Sequence, residues 1–195
     1  MFFELLNKVD TLHPLLFASS SNISGIGSYV NFIFVFSMFN AFLIASLDKT
    51  VSNSTLSSVL YASLIHDLGK NSDTEGEIHG ENSVILYKSK IEQFCNQEDA
   101  ALIIEAVKYH SIDDSKTPLT VQSNKIWEIL KDADALDRSR LPGRGCNPAF
   151  LRNNIFSTTN GKEIMSLTKE LPTMTMDCSW DNSINDLVNV IKLMK

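Results

Sequence analysis

A chain of 195 residues is long enough for one domain with a substantial apolar core. Its 17 basic and 23 acidic residues leave a net charge of −6, which offers no overall attraction to double-stranded nucleic acid or to anionic lipid, so phosphate would have to be held by local cations. Cys95, Cys146 and Cys178 stand far apart without a Cys-x-x-Cys pair, which suggests neither a disulfide framework nor a zinc knuckle and suits a reducing cytoplasm.

The opening Met1-Phe2-Phe3-Glu4 lacks the basic start and compact apolar core of a signal peptide, so a cytoplasmic location is expected. From Thr11 to Leu47 there is no Asp, Glu, Lys or Arg, and Tyr29 to Leu47 is mostly apolar, a stretch long enough to span a bilayer. Asn31, Ser37, Asn40 and Ser46 interrupt it and no basic cluster flanks it, so we expect a buried helix over about 28–47 and no membrane contact.

A second helix is expected from Asn53 or Ser54, whose side chains can accept hydrogen bonds from the opening turn. Gly69, able to take the left-handed conformation, closes it, which puts His66 and Asp67 in its last turn at the mouth of a cleft. A polar, turn-rich stretch follows to Gly80, then a helix from about Asn82 to Phe94 with His79 just before it. The next helix, from Glu98, carries Ile103, Val107 and His110 at spacings of four and three, so His110 faces inward.

Asp113 to Gln122 reads as a loop around Pro118, and Lys125 to about Arg138 as the last core helix. At about 100° per residue, Ile126, Ile129, Leu130, Ala133 and Leu136 define its buried side. Asp137 falls near the centre of that side, Asp134 at its edge, and Asp132 further round the opposite edge. A carboxylate in apolar surroundings needs a cation, a donor or a metal, which both Asp134 and Asp137 should therefore have; a structural role is expected for Asp137. Beyond Leu141 come a loop and short helices near 161–170 and 183–194. The class is all-α, with no sustained strand-like alternation: residues 1–141 form a helical core and 142–195 a C-terminal helical extension packed on the same domain.

Imidazole and carboxylate together suit divalent transition metals, and a bound metal can lower the pKa of its water from about 15.7 towards 7. Lys70, three residues after Asp67, could neutralise charge on a phosphate, and Arg138, Arg140 and Arg152 could hold one in a bidentate fork.

The ordered set Leu64-Ile65-His66-Asp67-Leu68-Gly69-Lys70, then His79, then His110, then Lys131-Asp132-Ala133-Asp134-Ala135-Leu136-Asp137-Arg138 resembles the HD superfamily of metal-dependent phosphohydrolases, over roughly residues 20–140. The resemblance implies an HD-domain-like helical bundle and a metal-dependent phosphohydrolase or phosphodiesterase acting on a nucleotide or related small phosphate ester. It implies a divalent ion (Mn, Fe, Ni, Zn or Mg) on His66, Asp67 and Asp134, with Asp132 as the alternative last ligand. Lys70, His79 and His110 would orient or protonate phosphate oxygens, and His79 and His110 are also the candidates for the second metal that some relatives hold.

One departure bears on activity. Family members often carry Ile-His-Gly-x-x-His-x-x-Arg-Val in the first core helix, where this chain has Ile23-Ser24-Gly25-Ile26-Gly27-Ser28-Tyr29-Val30-Asn31-Phe32. Ser28 replaces the first metal-ligand histidine, and three protein ligands plus water can still make a catalytic site. The alternative reading is therefore a catalytically degenerate HD-like domain that binds a nucleotide or a protein.

Overall fold

The computed structural model describes residues 27–70, 76–138 and 146–175, with side chains over 36–70, 76–138 and 146–168. Arg140, the side chains at positions 24, 28 and 31, and the expected helix at 183–194 lie outside the described residues. Every regular element among those described is helical: α1 (Gly27–Leu47), α2 (Asn53–Ile65), α3 (His79–Phe94), α4 (Gln97–Tyr109), α5 (Leu119–Gln122), α6 (Lys125–Asp137) and α7 (Thr159–Thr175). The span expected as a loop, 113–122, contains a 3-10 turn at Asp114–Lys116 and the single-turn α5.

Local chemistry starts the helices. Ser52 caps α2 by accepting from the Thr55 amide, Asn96 caps α4 by accepting from Asp99, and Asn124 caps α6 by accepting from Ile126. Each satisfies one of the amides that a helix start leaves without an intrahelical partner, worth about 1 kcal/mol.

Packing does the rest. α1 lies against α2, α6 and α7; α2 and α6 also meet α4; and α3 pairs with α4 at the side. Phe39 and Ile44 of α1, Ile103 of α4, and Ile129, Leu130 and Leu136 of α6 form a sealed apolar centre. Each such side chain contributes roughly 1.5–3 kcal/mol by leaving water. From Phe36 on, α1 is thus a core helix, as expected from its sequence, and among the described residues no helix is long and apolar enough to cross a membrane. The C-terminal part, through Ile155 and Ile164, closes over α1 and α6.

The reading of α6 needs one correction. Ile126, Ile129, Leu130, Ala133, Leu136 and Asp137 are buried as the wheel requires, but Asp132, placed at the far edge by the wheel, is fully buried as well. The segment after α6 covers it: the amides of Arg152 and Asn153 donate to its carboxylate, and so does the Arg152 guanidinium. A wheel knows one helix, and burial of Asp132 comes from chain folded back from 20 residues away.

Candidate metal centre

The ends of α2 and α4 and the start of α3 bring the histidines together. α2 stops at Ile65, and His66 caps its end, donating its amide to the Ala62 carbonyl. Asp67 to Gly69 then turn sharply, so the pair sits just past the helix and not inside its last turn. Gly69 does not take the left-handed backbone expected of it. Its smallness serves close approach instead: a Cβ there would stand 2.2 Å from the Ser83 amide nitrogen and 2.5 Å from the Asn82 carbonyl carbon.

His79 is the first residue of α3, three positions earlier than the expected helix start. Beside it, a Cβ on Gly80 would meet the Val107 carbonyl at 2.5 Å, so the start of α3 lies directly on the end of α4. His110 caps α4 and is fully buried in its side chain. The rings of His66 and His79 meet that of His110 edge-on, with centroids 5.0 and 4.9 Å away.

Asp67 is the common neighbour. Its Oδ1 lies 3.2 Å from His79 Nε2 and 3.4 Å from His110 Nε2, and its Oδ2 lies 3.7 Å from both His66 Nε2 and Lys70 Nζ. Burial alone would push this carboxyl up, but the charge of His66 and the hydrogen bonds of His110 and His79 outweigh it and hold the group well below the usual carboxylate range. For His79 burial works against the charged form, while its hydrogen bond to Asp67 and the Asp67 charge lift the pKa above the ordinary histidine value.

All three rings are oriented alike. His66 Nδ1 is 2.7 Å from the Ser63 carbonyl, His79 Nδ1 is 2.7 Å from that of Gly76, and His110 Nδ1 is 2.7 Å from that of Val107. A carbonyl oxygen only accepts, so each Nδ1 carries a proton, and it is Nε2 that each ring turns inward, as a donor to Asp67 when the ring holds a second proton and as a lone pair for a cation when it does not. His66 Nε2 is buried without any hydrogen-bond partner. An orphaned buried ring nitrogen is expensive, and metal-ligating histidines characteristically donate their other N–H to a carbonyl in this way. His66, Asp67 and His110 offer ligand atoms that all lie within 4.8 Å of one another, a group that can hold a metal ion.

The remaining expected residues divide. Asp134 faces the cluster, with Oδ1 4.0 Å from His66 Nε2, and Arg138, 61% exposed, reaches the same carboxylate at 3.3 Å. Lys70 is 30% exposed beside Asp67. Asp132, the alternative ligand, is given over to Arg152 and Asn153, and burial raises its carboxyl to about 6 in spite of those donors. Arg152, expected to grip phosphate, instead spends its guanidinium on Asp114 and Asp132 and stacks over the Trp127 ring at 5.4 Å.

Comparison with protein-family models, with curated proteins and with solved structures gives no match to this chain.

Sequence reasoning missed Ser83. Its hydroxyl, fully buried, donates to the His66 carbonyl at 2.6 Å, has the His79 carbonyl at 3.0 Å, and accepts from the Gly69 amide at 2.8 Å. The available signal was its place four residues after His79, the spacing at which a helical serine bonds back to a carbonyl.

Proposed function

We propose that this chain is a metal-dependent phosphohydrolase or phosphodiesterase of the HD superfamily, acting on a nucleotide or related phosphate ester. The observation that carries the reading is the common orientation of three imidazoles, each fixed through Nδ1 to a carbonyl three residues earlier and each turning Nε2 towards Asp67. His66, Asp67 and His110 would hold a divalent ion, with Asp134 and His79 beside them. Such an ion supplies Lewis acidity and a water of lowered pKa.

The chain's own groups supply the rest. Asp67 stays ionised among the histidines and so keeps a negative charge at the centre of the cluster. His79, whose side chain is 13% exposed against none for His66 and His110, is the histidine that solvent and substrate can reach, and it can take up or release a proton at Nε2. Lys70 and Arg138 place positive charge next to Asp67 and Asp134, where they can bind phosphate oxygens as negative charge grows on them.

The test is elemental analysis of protein purified without chelator, coupled to a screen of nucleotides and model phosphodiesters with Mn, Fe, Ni, Zn or Mg added. A stoichiometric ion, with hydrolysis that disappears in His66→Ala and His110→Ala, supports the reading. Absence of a bound ion together with no hydrolysis under any added metal would refute it.

A further inference from the structure

Two of the histidines of the proposed site, the ligand His66 and the neighbouring His79, belong to segments that local structure does not hold together. His66 follows α2 and His79 opens α3, 13 positions later. Each imidazole is fixed to its own segment through Nδ1, by Ser63 on one side and Gly76 on the other. Those local bonds set how each ring is turned; they do not set where one segment lies relative to the other. For the two Nε2 atoms to face one point, the turn after α2 must be registered on the first turn of α3.

One side-chain oxygen does this. Ser83 Oγ donates to the His66 carbonyl at 2.6 Å, with the His79 carbonyl at 3.0 Å as a second acceptor of the same proton, and accepts from the Gly69 amide at 2.8 Å. The His66 carbonyl lies past the end of α2, where carbonyls have no partner within the helix, so this hydroxyl satisfies a group that would otherwise be orphaned. There is no slack in the arrangement, because Ser83 is fully buried and its backbone nitrogen lies within 2.2 Å of where a Gly69 Cβ would be. A larger side chain at 83 would push the two segments apart, and a side chain without a hydroxyl would leave the Gly69 amide without an acceptor and the His66 carbonyl without a donor.

We propose that Ser83 is a positioning residue of the metal centre, its single hydroxyl locking the His66 turn to the first turn of α3 so that the His66 and His79 imidazoles face Asp67 together. The proposal rests on the metal reading above. It touches neither ion nor substrate, and acts through the main chain of the residues that would. Partners of metal ligands at this remove typically change metal affinity by about 10–100-fold when deleted.

The experiment is a Co2+ titration of the full chain, reading the visible absorption of bound cobalt and its dissociation constant by chelator competition, for the parent, Ser83→Ala and Ser83→Cys. Thermal melting of each metal-free protein runs alongside. Ser83→Ala is expected to bind Co2+ about 10–100-fold more weakly with an altered absorption band. Ser83→Cys, which keeps a weak donor and acceptor of similar size, should fall between it and the parent. Should Ser83→Ala fail to fold, Ser83→Cys carries the comparison; if both fail to fold, the residue is structural only and the proposal is overturned. A Ser83→Ala protein that binds Co2+ within twofold of the parent, with the same spectrum, overturns it too while leaving the metal reading intact. A parent that binds no cobalt overturns the metal reading and this proposal with it.

Discussion

His79 and His110 bring their Nε2 atoms within 3.1 Å of each other while both rings donate Nδ1–H to main-chain carbonyls. Two neutral imidazoles so tied present two lone pairs to each other, which repel. A shared cation relieves that repulsion, and so does a proton on one ring; Asp67 Oδ1, 3.2 and 3.4 Å from the two nitrogens, supports either.

Metal addition should therefore stabilise the fold. A ligand that binds only the folded state adds about 2.7 kcal/mol at a hundred times its dissociation constant, which for a chain of this size corresponds to about 5–10 °C in Tm. Melting curves with and without Mn2+ or Zn2+ check this. His110→Ala should abolish the shift, and an unchanged melting temperature in the parent would count against a folded-state metal site.

Asp132 and Asp134 lie two positions apart on α6 but should fail differently. Asp132→Ala strands the buried amide of Asn153 and the part-buried amide of Arg152 and removes a carboxylate from the Arg152 guanidinium, a loss of about 3 kcal/mol and roughly 6–12 °C in Tm. Its metal affinity should stay within twofold of the parent. Asp134→Ala, at a side chain 19% exposed, should leave the melting temperature nearly unchanged and weaken metal binding by about 10-fold or more. Calorimetric metal titration of both variants separates the two roles, and the reverse pattern would move the ligand assignment to Asp132.

Gly69→Ala should be one of the most damaging single-methyl changes in the chain. The added carbon would stand 2.2 Å from a backbone nitrogen on α3, and backbone cannot swing aside as the end of a side chain can. Overpacking of this kind costs about 1–3 kcal/mol, and here the displacement falls on the turn that carries His66 and Asp67. Denaturant unfolding should show the destabilisation, together with weakened metal binding; a variant of parental stability would mean that the two segments can separate freely.

Asp48 should contribute to acid sensitivity alongside Asp67, whose carboxyl is also held low. Burial raises the Asp48 carboxyl, but hydrogen bonds from Thr50 and Asn153 and the charge of Lys125 outweigh this and hold it at about 2. Because the folded value lies below the unfolded one, the stabilisation is complete above about pH 4 and is lost as pH falls through about 2, amounting to about 2 kcal/mol. Asp48→Asn should flatten the stability profile over that window in denaturant melts at stepped pH. An equally steep acid limb in the variant would assign the loss to other carboxylates.

Much of the fold was legible in local sequence. The uncharged run to Leu47 read as a core helix, and Ile126, Ile129, Leu130, Ala133 and Leu136 named the buried side of α6, because helical periodicity is a property of one segment and its solvent exposure. The candidate residues His66, Asp67, His79 and His110 were also visible, as side chains whose chemistry suits a metal.

Their assembly was not visible. That Gly69 is small for the sake of α3 and not for its own backbone, that Arg152 is consumed by Asp114 and Asp132, and that Ser83 joins two segments all depend on residues distant in the chain. The sequence by itself determined which residues could ligate and that the long core helices α1, α2, α4 and α6 would form, since both follow from side-chain chemistry and the 3.6-residue repeat. Only the tertiary structure decided which ligands meet and which charges are already neutralised, because hydrogen bonds and ion pairs across helices answer to packing, and packing has no local signature.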